Sequence, residues 1–123
     1  MMFHLIDFCK VGVKMISYNG KEYVCNIDLG MELIRGKWKV VILCHLNDGP
    51  KRFLELQRIT CGVSQKVLNE KLRELERDGL IRKIVYAEVP PKVEFLLTDI
   101  GKDLFPAIDK LQDWSIKHFP NEN

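Results

Sequence analysis

No two cysteines of this sequence form a CxxC pair, and its three histidines stand in no ligand spacing with them. Cys9, Cys25, Cys44 and Cys61 are scattered, so a bound metal is not expected. No apolar run approaches the roughly 18 residues of a membrane span. The opening segment is apolar in places, but His4, Asp7 and Lys10 interrupt it and no small-residue cleavage site follows. Scattered cysteines without a secretion signal read as a reduced, cytoplasmic protein with no membrane partner. Also missing are a nucleophile beside a base, a phosphate-cradling glycine loop and a carboxylate pair, which argues against an enzyme and against a cofactor. Neither sign of charge dominates. With 19 Lys and Arg against 17 Asp and Glu, the net charge of +2 says little about a polyanionic partner.

The distribution of charge says more. Residues 35 to 92 hold 13 Lys and Arg against 7 Asp and Glu, whereas residues 99 to 123 hold 3 against 5. A basic middle and an acidic end fit an electrostatic footprint for nucleic acid centred on the middle of the chain. At 123 residues and 46% hydrophobic content, one core is expected.

The basic part contains the best-signalled element. Residues 63 to 79, VSQKVLNEKLRELERDG, predict a helix. Ser64 is a suitable N-cap, Val63 and Leu68 have hydrophobic-staple spacing, and Gly79 supplies a left-handed stop. At 100° per residue, Leu68, Leu72 and Leu75 form an apolar stripe. Lys66, Asn69, Glu70, Arg73 and Arg77 lie opposite. A solvated face is the ordinary fate of such a surface, but Arg, Lys and Asn are also the side chains that pair with guanine and adenine in a major groove. Upstream, residues 50 to 59 predict a short helix with Phe53, Leu56 and Ile59 on one side. The break at Thr60, Cys61 and Gly62 joins the two as a helix-turn-helix.

Around this pair the remaining elements follow in order. Residues 1 to 14 fit a short helix, a strand or a partner-binding arm, and Met15 would also serve as an initiator, which makes them an extension the core does not require. Asn19-Gly20 between short β-rich runs is a hairpin signal, and a small hairpin or an extended arm is expected at 15 to 24. Asp28 is expected to cap a helix carrying Leu29, Leu33 and Ile34, ended by Gly36. Residues 37 to 46 predict a buried central helix, with Trp38 as a core anchor and Cys44 buried and inert. Residues 80 to 86 and 93 to 97 predict a hairpin whose tip holds Pro90 and Pro91. Thr98 or Asp99 should cap a last helix over about 100 to 118, in which Pro106 marks a kink or a second start. Its Leu104, Ile108 and Leu111, together with Phe119, exceed what so small a domain can cover.

From Cys25 to Trp114, about three quarters of the chain, the sequence resembles the HxlR family of winged helix-turn-helix regulators. The resemblance rests on Cys25, on Gly-Lys-Trp at 36 to 38, on Asp-Gly-Pro-Lys-Arg-Phe at 48 to 53 and on Ser-Gln-Lys-Val-Leu at 64 to 68. It continues through LRELERDGL at 72 to 80, YAEVPPKVEF at 86 to 95, Leu-Thr-Asp-Ile-Gly at 97 to 101 and Trp114. The resemblance implies a mainly α fold with a small β-hairpin wing, a dimeric winged helix-turn-helix made by residues 25 to 123 behind an arm at 1 to 24. It implies a homodimer on near-palindromic double-stranded promoter DNA, with the reading helix in the major groove and the wing along the minor groove. Ser64, Gln65, Lys66, Asn69 and Arg73 match the reading helix, Arg52 the family's arginine before Phe53, and Lys92 follows the Pro-Pro of the wing. Some members respond to oxidants or electrophiles through the cysteine that Cys25 matches, which makes Cys25 the candidate redox thiol and an oxidant or small molecule the candidate effector. The plainer role for Cys25 is a small apolar residue seating the arm. A protein-interaction module using the same basic face, without specific DNA binding, is the competing class, and the salt dependence of binding separates the two.

Overall fold

The computed structural model describes residues 15–122, which fall into two compact units, 15–37 and 38–122. Residues 1 to 14, the first part of the expected arm, and with them Cys9, lie outside the described residues.

In the first unit, β1 (Ile16–Tyr18) pairs antiparallel with β2 (Lys21–Tyr23), Ile16 opposite Tyr23 and Tyr18 opposite Lys21. Asn19 and Gly20 both take positive φ, 51° and 79°, as a two-residue turn between right-twisted strands requires. Helix α1 (Asn26–Leu33) follows. Its N-cap is Cys25 rather than Asp28: the Cys25 backbone is extended, and its carbonyl accepts from Leu29 N–H at 3.1 Å. Asp28 sits inside the first turn, where its carboxylate accepts from Val24 N–H at 2.9 Å. An acidic side chain in a first turn favours the positive end of the helix dipole without occupying the cap, and here it also takes up an N–H just upstream of the helix.

The second unit opens with α2 (Lys39–Leu46), shorter than the expected 37 to 46. It buries Ile42, Leu43 and Leu46 but leaves Val41 and Cys44 exposed, so its apolar composition does not make it buried all round. Helix α3 (Phe53–Ile59) begins after Arg52, later than the expected Pro50. Its inner residue is Leu56, while Ile59 lies at the surface. Helix α4 (Gln65–Arg77) has the expected limits: the Ser64 hydroxyl accepts from Val67 N–H at 3.1 Å, and Gly79 is left-handed at φ 77°. Leu68, Leu72 and Leu75 are all buried, each contributing about 1.5–3 kcal/mol by transfer from water.

Strands β3 (Ile81–Tyr86) and β4 (Lys92–Leu97) form the second hairpin, in register from Ile81–Leu97 to Tyr86–Lys92. Lys51 adds a single antiparallel bridge to Phe95 on the other side of β4. The last segment is two helices, α5 (Asp99–Asp103) and α6 (Phe105–His118), with Pro106 in the first turn of the second. Pro106 is therefore a start, where its missing N–H is not needed. Thr98 caps α5, accepting from Gly101 N–H at 3.1 Å, while its hydroxyl donates to the carbonyl of Gly79. Gly101 packs so tightly that a Cβ there would overlap the Leu80 carbonyl oxygen. Thr98 and Gly101 thus join the end of α4 to the start of α5.

Candidate nucleic-acid interface

Helix α4 presents the expected face. With its leucine stripe inward, Lys66 and Arg73 are exposed and Asn69 is half-buried between them, at positions one turn apart. Gln65 is exposed at the first position of the helix. The Ser64 hydroxyl is taken by the cap, although an oxygen that accepts one bond still has a proton to donate. Arg77, at the far end, bonds Asp78 at 3.2 Å and is held along the helix end.

Arg52 precedes α3. Its backbone N–H donates to Glu55 Oε1 at 3.0 Å, which fixes the first turn, and its guanidinium is exposed. Lys92 is placed differently. It is half-buried, its Nζ lies 3.8 Å from Glu94 Oε2 and 4.8 Å from the centre of the Tyr86 ring. The same Glu94 accepts from the Tyr86 hydroxyl at 2.8 Å, and this bond is the main reason that the phenol's pKa is raised. Lys92 is thus tied within the hairpin. Arg82 and Lys83, which the sequence reading passed over, are exposed on β3 close to α4. Alternation from the buried Ile81 signals an outward Arg82, whereas Lys83 falls on the face of Ile81 by the same alternation and is exposed all the same. The hairpin tip, 87 to 91, carries no cation, and Val89 there is fully exposed.

Behind the reading face lies a pairing that local pattern did not disclose. Lys39, the first residue of α2, is 4% exposed, and its Nζ meets Glu74 Oε1 of α4 at 2.9 Å. The other carboxylate oxygen of Glu74 is 3.5 Å from Lys71 Nζ. The hydrogen bond from Lys39 holds the Glu74 carboxyl below the usual glutamate range, against some desolvation. A lysine in the midst of an apolar run was the only sequence signal of this pair.

The cysteines divide. Cys25 is half-buried at the N-cap of α1, while Cys44 and Cys61 are exposed. Cys44 is therefore not buried as expected, because α2 packs only one side. Its thiol is nonetheless pushed up, first by partial desolvation and then by the Asp109 carboxylate, which keeps thiolate scarce. Among the described residues there is no cluster of metal-ligating side chains, and no helix is long and apolar enough to cross a membrane.

A helix-turn-helix with a basic outer face, followed by a two-stranded wing and closing helices, defines a winged helix-turn-helix transcriptional regulator. The model of the HxlR-like helix-turn-helix family matches residues 33–123, and the chain belongs to that family. It is 48% identical over 98 residues to the HTH-type transcriptional regulator YtcD of Bacillus subtilis strain 168, covering 80% of this chain and 78% of the relative. A crystal structure of a ytcD protein superposes with a TM-score of 0.74 at 46% identity, covering 77% of this chain and 97% of that one. The redox regulator HypR in its reduced form superposes at 0.71 with 40% identity, covering 75% and 91%.

Proposed function

We propose that this regulator works as a cytoplasmic homodimer that occupies a near-palindromic promoter site and acts by occupancy rather than by catalysis. The carrying observation is the outer face of α4, where Lys66, Asn69 and Arg73 stand opposite the buried Leu68, Leu72 and Leu75. In a major groove, Arg73 and Lys66 suit guanine and Asn69 suits adenine. Ser64 and Gln65 at the helix start, Arg52 before α3 and Lys92 on the wing serve the phosphates, with the positive end of α4 adding to their pull. Leu111, Trp114, Ile116 and Phe119, exposed at the end of the chain, support a second copy as the cover for that apolar surface. Residues 1–24 as an arm before the 25–123 domain belong to the same proposal.

Cys25 is the proposed sensing thiol. It sits at a helix N-cap, where unpaired N–H groups favour a thiolate, and the likeness to a protein described as a redox regulator supports an oxidant or electrophile as effector. Asp28 works against this by its own negative charge.

The testing experiment is selection of bound duplexes from a randomised DNA library, followed by titration of the selected duplex at several salt concentrations. A two-fold-symmetric site with half-sites about one helical turn, ~34 Å, apart is expected, with affinity falling steeply as salt rises. Recovery of no preferred sequence would remove the reading and leave the protein-interaction module.

A further inference from the structure

We infer that the Lys39–Glu74 pair is a positioning device, which fixes the rotation of α4 about its own axis and so the angle at which Lys66, Asn69 and Arg73 meet DNA. This rests on the DNA-reading function proposed above. Lys39 is a costly choice for its place. It carries a positive charge at the positive end of α2, at 4% exposure, where both the helix dipole and the loss of water disfavour an ammonium. A methionine would fill a similar volume at no such cost, so the worth of the pair lies in its direction rather than in its energy.

Between its two ends, direction is what the leucine packing of α4 lacks; the Thr98 bond to the Gly79 carbonyl fixes only the point where the helix stops. Leu68, Leu72 and Leu75 pack by non-directional burial, and a single row of three side chains tolerates some roll. The Glu74 carboxylate does not. One oxygen is held by Lys39 from another helix at 2.9 Å, and the second faces Lys71, one turn back on α4, at 3.5 Å. Glu74 also lies on the flank between the buried stripe and the reading face, immediately after Arg73, so clamping it sets the roll of that face. A roll of about 15° displaces a side-chain end by about 1.5 Å at the radius of a helix with its side chains. That is enough to break hydrogen bonds confined to about 2.7–3.2 Å.

The experiment uses the full chain, the duplex recovered by library selection and a scrambled duplex of the same composition. The double variant Lys39→Met, Glu74→Leu leaves net charge and every DNA-facing cation unchanged. Expected are a melting temperature close to wild type, unchanged affinity and salt slope on the scrambled duplex, and a selected-to-scrambled affinity ratio reduced about tenfold or more. Glu74→Gln, which keeps the volume and an acceptor for Lys39, should lie between. An unchanged ratio in folded Glu74→Gln and in the double variant overturns the inference. So does unfolding of the double variant, which would make the pair a stability element. Failure of the wild type to prefer its selected duplex would instead remove the DNA-reading proposal.

Discussion

Lys51 and Phe95 exchange both of their backbone hydrogen bonds, Lys51 N–H to Phe95 O at 3.0 Å and Phe95 N–H to Lys51 O at 2.8 Å. Because Arg52 is the next residue and Phe95 lies in the wing, main chain alone ties the hairpin to the start of α3. Phe95 also pairs with Lys83 on its other side, so one row runs from the bridging Lys51 through Phe95 to Lys83 across the two strands of the hairpin. Lys51→Pro removes a donor and strands the Phe95 carbonyl. A loss of about 1–3 kcal/mol is expected in chemical denaturation, whereas Lys51→Ala, which keeps the backbone bonds, should cost far less.

The DNA-facing residues should separate by kind. Arg73→Ala or Asn69→Ala is expected to cost about 1–3 kcal/mol on the selected duplex and relax preference at one base position, whereas Arg52→Ala weakens all sequences and lowers the salt slope by about one. Lys92→Ala should change the slope by less, because its ammonium is shared with Glu94 and Tyr86 in the protein. Arg73→Ala with affinity and preference both intact would show that α4 meets DNA by another face.

Acid should act on the Lys39–Glu74 pair with a defined sign. The carboxyl of Glu74 is depressed in the folded chain, so the stability it confers is complete above the unfolded glutamate value of about 4.3. It is lost as pH falls through the folded value. The stability gap between wild type and Glu74→Gln should be flat near neutrality and close below about pH 4.3. A gap independent of pH down to pH 2 would mean that the carboxylate's charge plays no part.

Sedimentation of the intact protein at micromolar concentration should give a dimer. Trp114→Lys, in a ring cluster with Phe119 and His118 at centroid distances of 5.6 and 5.9 Å, should shift it towards monomer and weaken DNA binding with it. A wild-type monomer that still binds the selected duplex would refute the dimer.

For Cys25, the measurement is DNA binding during titration with diamide or a quinone. Wild type should lose binding and Cys25→Ser should not. Equal loss in both, or none in either, would leave Cys25 as packing at the start of α1. Cys44 should react slowly in the same titration despite its exposure.

Elements whose limits depend on near neighbours could be read from the chain. Ser64 and Gly79 bracket α4, Asn19-Gly20 makes the first turn, and the periodicity of Leu68, Leu72 and Leu75 orients the reading face. What escaped depends on which of several nearby groups takes a contact, or on packing between residues far apart in sequence. Asp28 is a good cap by composition, but the Val24 N–H lay within reach and Cys25 took the cap. Cys44 looked buried because its helix is apolar, but burial is decided by what packs on each side. Lys39 could not be matched with Glu74, 35 positions away, until α2 and α4 were brought together. The contacts of Lys92 with Glu94 and the Tyr86 ring likewise emerge only once the hairpin register is fixed.

At Gly101 the backbone of α5 rests on the Leu80 carbonyl with no room for a single carbon between them, while the Thr98 hydroxyl bonds the residue before Leu80. Long flexible side chains act as springs, and here backbone bears directly on backbone with only the Thr98 and Leu97 side chains beside it. A push delivered along the closing helices would therefore reach the end of α4 as travel rather than being soaked up as rotamer changes. Such a joint is a bearing surface, a stiff link between the closing helices and α4, the helix proposed to meet DNA.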